Sequence, residues 1–225
     1  MSQAAQAVGR DVRDITLIAV SKTHTAQVVR EAAHLGLHEF GENYVQEALD
    51  KKRDLSDQNL QWHFIGHLQS NKVKHVVGQF ILIHSVDSQR VATEISKHAY
   101  QKGLVQKILL QVKIGNEQSK GGLLPNELPS FVRVIGNLPG LAIEGLMTIP
   151  APTRDEQQAR SNFRQLRELL NQIKEAMKDG ESSRHSLCEL SMGMSSDFDL
   201  AIEEGATLVR VGSALFGART GANIH

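Results

Sequence analysis

Eight short apolar runs, each of strand length, alternate along the chain with segments whose apolar residues recur at helical spacing. The runs are Ile15 to Ser21, Glu39 to Glu42, Gln61 to Ile65, Phe80 to Ser85, Lys107 to Ile114, Ala142 to Ile149, Leu187 to Met192 and Thr207 to Val211. This alternation predicts βα units and a parallel sheet, because parallel neighbours need a crossover long enough to hold a helix. Helices are expected over Thr25 to Leu35, Tyr44 to Leu55, Ser88 to Lys102, Asp155 to Lys178 and Asp197 to Glu204. In the longest of them Phe163, Leu166, Leu169, Leu170 and Ile173 form one stripe, and Gly180 follows as a stop. Pro125, Pro129, Pro139, Pro150 and Pro152 cluster around the fifth and sixth runs and read as loop punctuation.

The chain has 225 residues and no long Gly/Ser linker or abrupt composition shift, so residues 1–225 are expected to form one domain. That length suits a (β/α)8 barrel of the TIM type. Periodicity cannot tell whether eight strands close, and an open doubly wound sheet is the competing arrangement. The pattern favours the barrel.

Composition removes several function classes. Twenty-five basic residues balance 25 acidic ones, so no net field draws the chain to nucleic acid or anionic lipid, and 4% aromatic content offers few stacking platforms. Cys188 is the single cysteine, which excludes an internal disulfide framework or a thiolate metal cluster. The first ten residues have neither a basic n-region nor an apolar h-region, and no apolar run approaches the roughly 20 residues that span a bilayer. A cytoplasmic protein without membrane or nucleic-acid partners is expected.

Two cations stand at informative places. Ile18, Val20 and Lys22 share one face of the first run, while Leu208, Arg210 and Gly212 share one face of the last. If both rows line one barrel, an amine, a guanidinium and a Gly-Ser turn converge on one pocket, a combination suited to a phosphorylated aldehyde. Lys22 taken alone reads more readily as a solvated loop lysine, but a desolvated lysine near another cation deprotonates more easily, and only the neutral amine attacks a carbonyl. Arg210 in an apolar strand needs a partner, and the simplest is a structural ion pair with Glu39, Glu144 or Glu189. The loops after the seventh and eighth runs, Ser191 to Ser196 and Gly212 to Gly217, sit where barrels bind phosphate. Gly193 and Gly212 permit close backbone approach, and Ser195 and Ser213 carry hydroxyls, although a serine helix cap and a turn glycine explain either loop taken singly. Among the ten histidines, His24, His63, His67 and His84 form the best metal candidates, but no His-x-His pair or HExxH helix supports them.

Val20-Ser-Lys-Thr23, Phe40 to Glu47 (FGENYVQE), Trp62 to Lys72 (WHFIGHLQSNK), Gly145 to Pro152 (GLMTIPAP), Leu190 to Asp197 (LSMGMSSD) and Val209 to Gly217 (VRVGSALFG) together resemble the pyridoxal phosphate homeostasis proteins, in order, across most of the chain. The resemblance implies a barrel similar to the amino-terminal domain of alanine racemase, with pyridoxal 5′-phosphate at its mouth and the internal aldimine on Lys22. It further implies that Arg210 faces the pyridine nitrogen, that Ser195, Gly212 and Ser213 hold the phosphate with Ser191 as a secondary candidate, and that Asn43 meets the cofactor hydroxyl. The chain departs from many relatives at Lys113 and in the run Ser119-Lys-Gly-Gly122.

Racemases of this fold also use a tyrosine brought by an additional β-domain, whereas this sequence has only Tyr44 and Tyr100 and offers no segment for such a domain after the eighth run. The function expected from the resemblance is therefore non-enzymatic: to buffer, carry or deliver pyridoxal phosphate and so influence vitamin B6 and amino-acid balance, as a monomer whose partners are PLP-dependent apoenzymes. A minimal amino-acid racemase and a phosphosugar-binding barrel enzyme with a glutamate base are the alternatives.

Overall fold

The computed structural model describes residues 1–115, 121–177 and 184–217. Its eight strands are β1 (Thr16–Val20), β2 (Glu39–Glu42), β3 (Gln61–Phe64), β4 (Leu82–Val86), β5 (Gln106–Gln111), β6 (Leu141–Met147), β7 (Glu189–Ser191) and β8 (Leu208–Val211). They form a closed barrel in sequence order, every pair parallel. Closure is made by β8 on β1, where Ile18 stands opposite Arg210, and it rules out the open doubly wound sheet.

The helices are α1 (Ser2–Ala7), α2 (Ala26–His34), α3 (Val45–Asp54), α4 (Val73–Val76), α5 (Gln89–Gln101), α6 (Leu128–Gly136), α7 (Glu156–Met177), α8 (Phe198–Glu203) and α9 (Ser213–Phe216). The five expected from periodicity are α2, α3, α5, α7 and α8, each within one residue at either end. Local chemistry starts them: Thr25 accepts the Val28 N–H ahead of α2, and Asp155 Oδ1 accepts the Gln157 N–H ahead of α7. One expectation fails at Pro129, which is not a loop residue but lies in the first turn of α6. A proline is tolerated there because the first N–H groups of a helix have no intrahelical partner to lose. Lys178 and Gly180, expected around the end of α7, and Ser119 and Lys120 lie outside the described residues. Among the described residues no helix is long and apolar enough to cross a membrane.

Alternation along the strands builds two cores. Ala19, Phe40, Phe64, Ile83, Ile108, Ile143 and Val209 point outward into one large cluster with the helices. Ile18, Leu82, Leu109, Met147 and Leu208 point inward and form a small plug inside the barrel. Five residues do not fill such an interior. The same inward rows continue in polar side chains: His84 follows Leu82, Arg210 follows Leu208, and Ser191 and His63 join them from β7 and β3, all buried. The plug separates two mouths, one at the carboxyl ends of the strands and one at the amino ends.

Candidate functional site

At the carboxyl mouth the inward rows of β1, β2, β3 and β8 end in a cavity of about 350 Å³. Lys22, Asn43, Ser195, Arg210, Gly212 and Ser213 all line it, together with Val20, His24, Ile65, Ile149, Met194 and Ser196. The six positions singled out in the sequence, drawn from four separate βα loops, thus meet in one space. No carboxylate is among the described residues lining it.

The backbone on both sides of Lys22 is tied down. Buried Lys51 of α3 donates from Nζ to the Ser21 carbonyl (2.7 Å) and to Glu42 Oε1 and Glu47 Oε1 (2.6 Å each). Ser21 Oγ donates to Glu42 Oε1 at 2.7 Å, and the Thr23 N–H donates to Glu47 Oε1 at 2.6 Å. Thr23 needs that hold, because it adopts φ of 68°, a left-handed conformation costly for a β-branched residue. Burial raises the Glu42 carboxyl above its ordinary range, opposed by Lys51, and Glu42 Oε2 has no hydrogen-bond partner among the described residues. Sequence reasoning quoted Glu42 and Glu47 but gave them no role, and passed over Lys51. A signal was present: Lys51 falls on the face of Ala48 and Leu55, the buried stripe of α3, where a lysine needs a partner.

Asn43 reaches the cavity through a close contact. A Cβ on Gly66 would lie 2.2 Å from the Asn43 carbonyl oxygen, so only glycine lets the loop after β3 pass so near the end of β2. Asn43 Oδ1 is buried and has no hydrogen-bond partner among the described residues. A buried acceptor left open beside a cavity can take a donor from water or from a ligand.

Ser195 behaves differently from the simple expectation. Its Oγ accepts the N–H of Gly212 (3.1 Å) and of Ala214 (3.3 Å), stitching the loop after β7 to the loop after β8. The hydroxyl proton is what it can offer an anion. Gly193 holds φ of 87°, and a Cβ there would sit 2.5 Å from Ala201, so the loop packs directly on α8. Gly212 has φ of −120°, which other residues adopt, and a Cβ there would meet Val20 at an ordinary 3.4 Å. Its glycine is therefore not demanded by turn geometry. Ser213 is exposed and opens α9.

Arg210 is 4% exposed, and its partners correct the ion pair expected from sequence. Nη1 donates to Ser191 Oγ at 2.6 Å and Nη2 to the Thr148 carbonyl at 2.8 Å. Glu39, Glu144 and Glu189 lie at the opposite mouth. Burial lowers the guanidinium to about 10, opposed by Asp197, and leaves it charged at neutral pH. Ser191, the secondary phosphate candidate, is buried beneath Arg210 and does not line the cavity. His63 and His84 hydrogen-bond to each other inside the barrel, and the described residues contain no group of three or more His, Cys, Asp or Glu able to hold a metal.

The family profile described as alanine racemase, N-terminal domain matches residues 2–220. The pyridoxal phosphate homeostasis protein of Aquifex aeolicus is 43% identical over 97% of this chain and 93% of its own length, and that of Pseudomonas aeruginosa is 45% identical over 96% and 90%. The chain belongs to the pyridoxal phosphate homeostasis protein family. Among solved structures, PipY of Synechococcus elongatus with PLP bound is 39% identical, with a TM-score of 0.83 over 96% of this chain and 99% of that one. An alanine racemase of Clostridium difficile shares the fold at 15% identity, TM-score 0.75, over 94% of this chain and 55% of the racemase. The family therefore agrees with the one read from the motifs.

Proposed function

We propose that this chain is a single-domain cytoplasmic protein that binds pyridoxal 5′-phosphate at the carboxyl mouth and serves its storage and delivery to PLP-dependent apoenzymes. The observation that carries this reading is the meeting of Lys22, Arg210, Ser195, Gly212 and Ser213 around one cavity, in a chain 39% identical to a protein solved with PLP bound. The residues present suit the cofactor chemically: an amine for the aldehyde, an unpartnered buried acceptor on Asn43 for the ring hydroxyl, and hydroxyls with adjoining backbone amides for the phosphate.

When bound, the cofactor supplies an aldehyde that condenses with amines and a ring that accepts electrons. Lys22, held between two anchored peptide units, provides the amine for the covalent link. Ser195 ties the two phosphate-side loops together and directs its remaining proton to the anion. Arg210 presents N–H donors to the ring nitrogen, and as a permanent cation it disfavours protonation of that nitrogen, on which strong electron withdrawal depends. Binding without turnover follows.

Neither tyrosine of the chain is among the described residues lining the cavity: Tyr44 is 54% exposed ahead of α3 and Tyr100 69% exposed on α5. The phosphosugar-isomerase alternative finds no carboxylate base among the described residues lining the cavity, and Glu42 of β2 and Glu47 of α3, on either side of Asn43 in sequence, are engaged by Lys51. A racemase reading keeps one observation, His24, a titratable group in the cavity packed on Phe216 with ring centroids 4.9 Å apart.

The test is reduction of the PLP-loaded protein with borohydride followed by peptide mapping. The expected result is a single pyridoxyl adduct on Lys22, absent in Lys22→Ala. An adduct on another lysine sinks the assignment. Exchange of an amino acid's α-proton by the loaded protein at rates on the order of 1 s⁻¹ or faster would favour the racemase reading instead.

A further inference from the structure

An unbroken chain of side-chain hydrogen bonds runs through the barrel from Arg210 to the opposite mouth. Arg210 Nη1 meets Ser191 Oγ at 2.6 Å, Ser191 Oγ meets His84 Nδ1 at 2.9 Å, His84 Nε2 meets His63 Nδ1 at 2.9 Å, and His63 Nε2 meets Glu39 Oε2 at 2.7 Å. Four strands contribute, β8, β7, β4 and β3, with β2 at the far end. Ser191, His84 and His63 are at most 3% exposed, whereas the Glu39 side chain is 31% exposed at the amino mouth.

Elementary donor counting gives this chain one direction. A guanidinium can only donate, so Ser191 Oγ accepts from Arg210; at the far end the Glu39 carboxylate can only accept, so a neutral His63 donates from Nε2 and accepts at Nδ1, which leaves Ser191 to give its proton to His84 Nδ1. His84 then carries its proton on Nε2 and donates to His63 Nδ1. By the same step His63 carries its proton on Nε2 and donates to Glu39, which as a carboxylate accepts. With both imidazoles neutral, each has one tautomer consistent with both of its neighbours. Full burial, with His63 and Arg210 adding to it, keeps His84 well below the usual histidine range, in agreement with the neutral form.

We propose that Ser191, His84, His63 and Glu39 are positioning residues for Arg210: a carboxylate at the amino mouth orients, through two tautomer-locked histidines and a serine, the guanidinium at the base of the cofactor site. The proposal rests on the functional reading above only for what Arg210 then does to the bound ring. Its logic is that no carboxylate among the described residues is hydrogen-bonded to Arg210, whose charge Asp197 supports electrostatically without such a bond, and that aligned dipoles ending on Glu39 stabilise that charge across the interior. The end of the chain at a partly exposed carboxylate makes it accessible to mutation without opening the buried core.

The experiment compares the wild type with Glu39→Gln and Glu39→Leu. Long-range ¹H–¹⁵N correlation spectra of the PLP-free protein report the tautomers of His63 and His84 and the guanidinium resonances of Arg210. PLP titrations of the same proteins report affinity. Expected are Nε2–H tautomers on both histidines in the wild type, the same pattern in Glu39→Gln, whose side-chain carbonyl still accepts, and a changed His84 and Arg210 signature in Glu39→Leu. PLP affinity should fall about threefold to tenfold in Glu39→Leu and recover in Glu39→Gln, the scale of one ordinary hydrogen bond. An Nδ1–H tautomer on either histidine in the wild type overturns the proposal, and needs no variant to fold. So does Glu39→Leu leaving the His84 and Arg210 resonances unchanged. Failure of the wild type itself to bind PLP would instead sink the functional reading, while the PLP-free spectra would still decide the positioning role.

Discussion

The two mouths of the barrel are built from the same inward rows and differ in sign. At the carboxyl mouth the rows of β1 and β8 end in Lys22 and Arg210, with serine hydroxyls around them and no carboxylate among the described lining residues. At the amino mouth the rows of β2, β6 and β7 begin with Glu39, Glu144 and Glu189 around a cavity of about 570 Å³, edged by the exposed apolar residues Ile81 and Val105. The larger opening is not where the lysine, the arginine and the serines gather. Its carboxylates already have partners: Glu39 accepts from His63, Glu189 accepts from Thr207 Oγ1, and Glu144 accepts from Ser186 Oγ. The carboxyl mouth instead holds an acceptor on Asn43 without a partner among the described residues and a lysine between two anchored peptides. Volume is a poor guide to function here, and convergence of groups able to take a ligand is a better one.

If the anchoring around Lys22 is what distinguishes the carboxyl mouth, removing it should give the largest change. Lys51→Met leaves the fully buried Glu42 without its cation, and loss of one partner of a buried pair costs about 3 kcal/mol or more. A lower denaturation midpoint is expected, with slower covalent capture of PLP as Ser21 and Thr23 loosen. The loss should ease as pH falls. The folded carboxyl of Glu42 lies above its unfolded value, so the folded state binds more protons than the unfolded one and gains stability toward acid. Denaturant melts of both proteins at two pH values test this, and an unchanged midpoint would remove the anchoring from the argument.

A second comparison sets one mouth directly against the other. Gly212→Val should weaken PLP about tenfold or more while leaving unphosphorylated pyridoxal nearly unaffected, since the chain's own atoms leave ordinary room for a Cβ there. Glu144→Gln at the amino mouth should move neither ligand by more than about twofold, its pairing with the largely exposed Lys107 being worth little. Equal weakening of both ligands by Gly212→Val would assign that loop to the fold rather than to the phosphate.

The smallest expected effect lies between the mouths. His84 stays neutral in the folded protein because burial, then His63, then Arg210 oppose its charging, whereas the unfolded residue takes a proton near pH 6.5. Below that value the unfolded state binds more protons, so stability should decline as pH falls, by at most about 1.4 kcal/mol per pH unit from this residue. His84→Gln should flatten the decline between roughly pH 6.5 and 5. An identical slope in both proteins would mean that His84 charges in the fold, contrary to the tautomers deduced for it.

Much of this molecule was legible in the residue order. Period-2 runs alternating with period-3.6 segments located all eight strands and five helices, because those periods express which face of each element is buried and need only local information. The motifs marked six positions that share one cavity, since residues at the carboxyl ends of parallel barrel strands face a common mouth whatever lies between them. Partnership was beyond the sequence. Arg210 is bound by Ser191 and Thr148 rather than by a glutamate, Ser195 spends its oxygen on the amides of Gly212 and Ala214, and Lys51 crosses from a helix to hold the backbone beside Lys22. The last two depend on how the loop after β7 and helix α3 pack on the strand ends, and the first follows from barrel closure and strand register. Those place inward side chains from distant strands at the same height, so the choice of hydrogen-bond partner is a property of the closed interior and of no single segment.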